Sequence, residues 1–428
     1  MKRFIKFILA ALIIVSISFG IYKFKNRYDF NVINKNINLS IKIKGLKDAR
    51  SFDLDEEGNI YLAFNDTLKI INKNGNNDVI IRDSHFDILD ILYYKEKLYI
   101  ATDNRILEYD LVTNNYKELV TNIPNLGINK KVNLLLKDDK LYFAIGSNTN
   151  DGIVNEKGGA FEIPTNNWIL VGDNYGEGKT GAFSPYSIST EKGQTVEGKI
   201  LGNAAILTYD LKTEELKLFS HGIRNVAGWD MTSEDKIIAI VGGILDTTVR
   251  GIKNDRDYIY EIKGDRWYGW PDYSGGDPIT SPRFTEGEAH KFLIKNHINK
   301  NPDAPIYQYK DVAALNGLAI DKEGKYFEKD TLIVADNKSR DLYSMTPKGN
   351  LIAIANLGSE SKIEKIKFAD DGFYLLDSGF GALYTLNMSN FSRKFNLPYG
   401  IWAFIIAFII ILISVMLIKN KKNKKNAK

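Results

Sequence analysis

Two short stretches concentrate residues able to bind or react: Ser220–Gly228, SHGIRNVAG, and Trp267–Pro278, WYGWPDYSGGDP. Arg224 beside Asn225 offers a planar charged fork next to an amide, a donor set suited to oxygen-rich anions. Tyr268 and Trp270 bring flat, amphipathic rings that can wall a ligand. The glycines among them permit turns and close approaches that other residues resist. A plainer reading makes Arg224–Asn225 a turn paired with a neighbouring carboxylate and Trp270 ordinary core packing.

The elements that must position these residues are strands. Between residues about 40 and 390 a polar turn, a short alternating strand and a second strand recur. The copies are Phe52–Asp66, Ile91–Asn104, Leu134–Asn148, Trp229–Gly243, Leu318–Asn337 and Ile366–Gly379. Alternation at period two marks half-buried strands, and no long helical period competes with it. Strand-only repeats of about 45–60 residues predict an all-β chain, a six-bladed β-propeller. Ser147–Asn203 and roughly Gly243–Asp311 stand out as insertions. Propellers close by joining their chain ends in one blade, so residues near 40 and near 390 are expected to meet.

The 428 residues are 44% hydrophobic and 26% charged, a globular balance. Net charge is +4, and the last ten residues alone carry Lys419, Lys421, Lys422, Lys424, Lys425 and Lys428. The remainder is close to neutral, without the basic footprint that nucleic acid requires. No cysteine is present, which excludes disulfides and thiolate chemistry.

Both ends are apolar. Phe7–Tyr22 is flanked by basic residues on both sides and reads as an uncleaved anchor, with a cleaved signal peptide as the alternative. Ile401–Ile418 carries no charge and would rise roughly 27 Å as a helix, close to the bilayer core. The lysine tail orients that helix with its C-terminal end in the cytoplasm. The expected layout is a membrane anchor or signal segment over 1–30, an extracytoplasmic propeller over 38–390, and a transmembrane helix with basic cytoplasmic tail over 391–428.

The middle of the chain resembles the glucose/sorbosone dehydrogenase-type propellers over roughly Asp90 to Asn387. The resemblance rests on ordered motifs: LYFAIGSNTN (Leu141–Asn150), AILTYDL (Ala205–Leu211), HGIRNVAG (His221–Gly228) and YIYEIKGDRWYGWPDYSGGDP (Tyr258–Pro278). It implies a secreted six-bladed scaffold binding pyrroloquinoline quinone and calcium and oxidising sugars. By the same resemblance, Arg224, Asn225, Tyr268, Trp270 and Arg340 are candidate quinone contacts. A surface turn is the alternative for Arg340. Gly242, Gly243 and Asp246 are candidate metal ligands, since backbone carbonyls and a carboxylate suit a hard cation.

The sequence departs from that pattern at the chemistry. The slot of the family's general-base histidine falls near Asn129, and an amide cannot accept that proton at neutral pH. Where the family usually shows His-Gly-Pro with acidic residues, or an Asn-x-Arg-Asp run, this chain has AIVGGILDTTVRGIKNDRD (Ala239–Asp257), without the defining proline and histidine. His221 is the histidine nearest the motif and a weak candidate base; His85, His290 and His297 read as loop residues. DNYGEGKTG (Asp173–Gly181) lacks the spacing and context of a phosphate loop. Two functions remain: a membrane-anchored, quinone-dependent sugar dehydrogenase, or a degenerate propeller binding a glycan, peptide or cell-envelope component in the same pocket. A lactonase-type hydrolase is weaker, for want of a carboxylate cluster.

Overall fold

Each repeat becomes the two inner strands of an antiparallel sheet. The computed structural model describes residues 30–284 and 289–388, with positions 13, 15–20, 28 and 409. One compact unit spans Asn31–Met388. Among the described residues it contains six radial sheets, confirming the six-bladed propeller.

Blade 1 is Ser51–Leu54, Ile60–Ala63, Thr67–Ile71 and Asn77–Arg82; blade 2 is Ile88–Tyr94, Lys97–Thr102, Arg105–Asp110 and Asn115–Thr121. Blade 3 is Leu134–Lys137, Lys140–Ile145, Ala205–Asp210 and Leu216–His221, extended by Arg266–Trp267. Blade 4 is Val226–Met231, Ile237–Val241, Tyr258–Ile262 and Tyr307–Gln308. Blade 5 is Leu315–Asp321, Thr331–Asp336, Asp341–Met345 and Leu351–Asn356, with Asn31–Val32 at its edge. Blade 6 takes Ile363–Ala369, Gly372–Asp377 and Ala382–Met388 from the end of the propeller and Ile37–Lys44 from its start. The expected closure is therefore present, with Ile37 opposite Met388.

Local chemistry explains the turns. Asp138 and Asp139 link the first two strands of blade 3 with φ of 52° and 57°, the left-handed pair of a type I′ hairpin. Buried apolar layers separate successive blades, such as Tyr99, Val132 and Phe143 between blades 2 and 3. Each such side chain contributes about 1.5–3 kcal/mol when fully buried, so these layers hold the ring together.

Ser147–Asn203 and the loops of Gly243–Asp311 build an annex beside blade 3, whereas Tyr258–Ile262 and Tyr307–Gln308, expected within the second insertion, are strands of blade 4. Ile153, Trp168, Phe183, Trp267, Tyr273, Leu293 and Ile294 form its own apolar core. Leu170 bridges Ile294 across it. Among the described residues no helix is long and apolar enough to cross a membrane. Phe7–Tyr22 and Ile401–Ile418 lie almost wholly outside the described residues.

Candidate functional site

The first strands of all blades begin on one face, called here the entry face, and surround the axis. Their inward side chains form a polar ring. Asp53 of blade 1 accepts the Tyr93 N–H of blade 2 at 2.8 Å, and Asp90 of blade 2 accepts the Leu134 N–H of blade 3 at 2.8 Å. Asp230 of blade 4 accepts the Ile320 N–H of blade 5 at 2.9 Å. A carboxylate accepting a neighbour's backbone N–H is a charge-assisted bond and fixes blade against blade. Blade 6 adds cations: Lys365 Nζ meets Asp90 Oδ1 at 2.6 Å and Lys367 pairs with Asp53.

At the entry face this ring opens into a cavity of about 50 Å³, whose lining includes Arg50, Asp90, Lys131, Asn133, Glu364 and Lys365. Lys131 reaches across from the blade 3 approach to Ala227 O at 3.0 Å and Asn316 Oδ1 at 2.5 Å. Burial holds its amine below the usual lysine range.

The motif residues lie off the axis, against the annex. Arg224 is 6% exposed, and each of its three nitrogens donates inside the fold. Nε bonds Asn150 O at 3.1 Å, Nη2 bonds Asn150 Oδ1 at 2.9 Å, and Nη1 bonds Asn225 Oδ1 at 3.2 Å. Burial lowers its pKa to about 10, against the attraction of Asp255, Asp257, Asp151 and Glu162. Asn225 packs on Gly242, where an added Cβ would stand 2.5 Å from Asn225 Oδ1. Trp270 Nε1 donates to the same Asn150 carbonyl at 3.2 Å, while its ring packs with Ile279 and Phe284. Tyr268 belongs to the blade 3–blade 4 core, its hydroxyl donating to Glu261 O at 3.0 Å and accepting the Lys263 N–H at 2.8 Å.

Asn129 donates to Ser147 Oγ at 2.9 Å, and Ser147 Oγ donates to Thr149 O at 2.6 Å. Asp246 and Arg340 are exposed, Arg340 in a left-handed turn with φ of 61°. Gly242 and Gly243 sit beside Asp255 and Asp257, two buried carboxyls raised in pKa chiefly by desolvation. Both are saturated by donors. Asp255 accepts from the Tyr258 hydroxyl, Ser274 Oγ and the Ile244 and Arg256 N–H groups; Asp257 accepts from the Ala313, Ala314 and Leu315 N–H groups. Among the described residues no group of three or more His, Cys, Asp or Glu side chains is arranged to hold a metal ion.

A second cavity, about 20 Å³, lies between blade 3 and the annex, and Glu162, Trp168, Asn203, His221, Trp267 and Trp270 are among its lining. His221 Nδ1 contacts Thr165 Oγ1 at 2.9 Å, and burial depresses its pKa to about 4. Burial raises Glu162 to about 7. Its Oε1 meets the Thr149 N–H and hydroxyl, while Oε2 and Trp267 Nε1 have no protein partner. That volume and these polar atoms suit bound water. Gly222 makes this geometry possible: its φ is 70°, and a Cβ there would meet Trp267 Nε1 at 2.5 Å.

These placements do not suit a tricarboxylate quinone with calcium at the positions the sequence suggests. The guanidinium fork is engaged from within, the Asn129 amide is not a base, and the carboxyls beside Gly242–Gly243 are capped by hydrogen-bond donors rather than left open to a cation. The axial residues Asp53, Asp90, Lys131 and Lys365 escaped sequence reading. A signal existed: charged side chains recur on first strands, as in FDL, LDI and WDM (52–54, 89–91, 229–231).

No described sequence family and no curated protein matches the chain by sequence. Solved structures do match in shape. The calcium structure of a family AA12 carbohydrate-active enzyme from Trichoderma reesei aligns with TM-score 0.59 and 14% identity, covering 85% of this chain and 98% of that one. The PQQ domain of pyranose dehydrogenase from Coprinopsis cinerea, in its holo form, gives 0.58 and 14% over 84% and 97%. The PQQ-bound aldose sugar dehydrogenase from Streptomyces coelicolor gives 0.53 and 14% over 83% and 99%. The chain therefore shares the six-bladed propeller fold of these structures.

Proposed function

We propose that this chain is a sugar-dehydrogenase-like propeller that binds a polar ligand, such as a glycan or cell-envelope component, at the axial mouth of its entry face without quinone redox chemistry. The observation carrying this reading is the inward commitment of Arg224, whose three nitrogens bond Asn150 and Asn225. The propeller is held outside the cell by the apolar segments Phe7–Tyr22 and Ile401–Ile418, with the lysine tail in the cytoplasm.

Sugar oxidation is the second reading. Its support is the shape shared with quinone-bound dehydrogenases and the cationic lining Arg50 and Lys365 at the mouth. Bound quinone would supply a two-electron acceptor. The full chain, titrated in detergent with pyrroloquinoline quinone and calcium, separates the readings by absorbance. The binding reading expects no bound-quinone spectrum at micromolar concentration, and saturable binding with dye reduction by aldoses overturns it.

A further inference from the structure

Three lysines of the axial ring differ in their partners. Lys365 faces Asp90 and Lys367 faces Asp53, so each ammonium is matched by a carboxylate. Lys131 instead meets two neutral oxygens, Ala227 O and Asn316 Oδ1, and among the described residues no carboxylate lies within ion-pair reach. The orientation of the Asn316 amide is fixed, because its Nδ2 donates to Ile363 O.

Two acceptors match the two N–H groups of a neutral amine. An ammonium's third N–H finds no third protein acceptor among the described residues, while a neutral amine directs its lone pair away from both oxygens. Lys131 lines the axial cavity, so that lone pair has open space beside it. The charged neighbours there are already engaged: Arg50 with Asp87, Lys365 with Asp90, and Glu364 with Lys362 at 2.7 Å. Burial pushes the amine toward its neutral form, aided by Lys362 and Lys365 and opposed by Glu364 and Asp90. A desolvated lysine of this kind is an activated nucleophile for carbonyl compounds.

We propose that Lys131 is a nucleophilic amine at the axial mouth that forms an imine with small hydroxyaldehydes. Its nitrogen lone pair forms a bond to the carbonyl carbon while the C=O π electrons move to oxygen. One N–H proton reaches that oxygen to give a carbinolamine. The hydroxyl then leaves as water with the second N–H proton, and the C=N bond forms. No oxidant or reductant is required. The polar lining and the volume of about 50 Å³ favour the carbonyl end of a short, hydroxylated chain. This reactivity stands independently of quinone or glycan binding, since it is read on the amine itself.

The test treats the full chain at pH 7 with glycolaldehyde and sodium cyanoborohydride, which reduces any imine to a stable hydroxyethyl amine, and maps the labelled peptides by mass. Each unit by which an amine's pKa falls gives about tenfold more free base at neutral pH. Lys131 is therefore expected to label on the order of tenfold or more faster than the exposed Lys157 and Lys192. Labelling of Lys131 no faster than those two overturns the proposal, and the wild-type chain suffices for that outcome. Asn316→Asp places a carboxylate against the amine and should slow labelling at Lys131 severalfold while leaving the exposed lysines unchanged. An unchanged rate at Lys131 in that variant also counts against it.

Discussion

The axial mouth and the annex both gather charged side chains, yet they treat them in opposite ways. In and against the annex, Arg224, Arg250, Asp151, Asp255 and Asp272 are almost wholly buried and bonded to backbone or to side chains of the fold. Arg250 donates to Asp151 O at 2.9 Å, Pro271 O at 3.1 Å and Asp272 Oδ1 at 2.6 Å, stitching the two insertions together. At the axis the carboxylates Asp53 and Asp90 are as deeply buried, but their partners Lys367 and Lys365 are partly exposed and Lys131 lacks an opposite charge. Conspicuous residues thus secure a long, irregular annex that has few strand ladders, while chemistry remains available where the blades meet.

Perturbations should separate the regions most strongly at the annex. Arg250→Met removes the guanidinium from the fully buried Asp272, leaving it His297 Nε2 and the Leu293 and Ile294 N–H groups, and should cost about 3–5 kcal/mol in urea unfolding. A loss near zero would erase the contrast. The pH dependence comes next. Glu162 is raised from 4.5 to about 7 in the fold, so the native state binds more protons across that window and stability falls as pH rises through it. His221 is lowered from 6.5 to about 4, so the unfolded state binds more protons there and stability falls as pH drops through that window. The two effects oppose each other between pH 4.5 and 6.5. Unfolding free energies from pH 4 to 8 should show Glu162→Gln removing the alkaline loss and His221→Gln the acid loss, each roughly 3 kcal/mol at most. Parallel profiles for wild type and both variants would contradict this assignment.

Arg224→Met should cost about 2–3 kcal/mol by stranding the Asn150 oxygens. It should destabilise the protein whether or not any ligand is present. Lys365→Met at the axis should cost less, about 1–2 kcal/mol, because Asp90 keeps the Leu134 and Ile91 N–H groups and the site is partly solvated. A larger loss for Lys365 than for Arg224 would invert the ranking of the two regions.

The propeller was legible because period-two alternation and turn residues repeat six times, and the inner strands fall on those repeats. The blade 6 closure followed from the same architecture. The site was only partly legible. SHGIRNVAG and WYGWPDYSGGDP do lie together, but no sequence pattern tells whether Arg224 faces a ligand or Asn150, a partner 74 residues away. The Arg250–Asp272 pair depends on how two insertions cross, which carries no periodic signal. Lys131 sits in the plain run NKKVN (129–133), where only the closed ring reveals a lysine aimed at two neutral oxygens.

Arginine-directed labelling of the full native chain with phenylglyoxal, read by peptide mass, tests most directly whether the motif arginine is committed to the fold. Arg224 and Arg250 should remain unmodified while the exposed Arg340 reacts readily. Modification of Arg224 at the rate of Arg340 would mean that its guanidinium faces solvent, and the annex would then be the binding site.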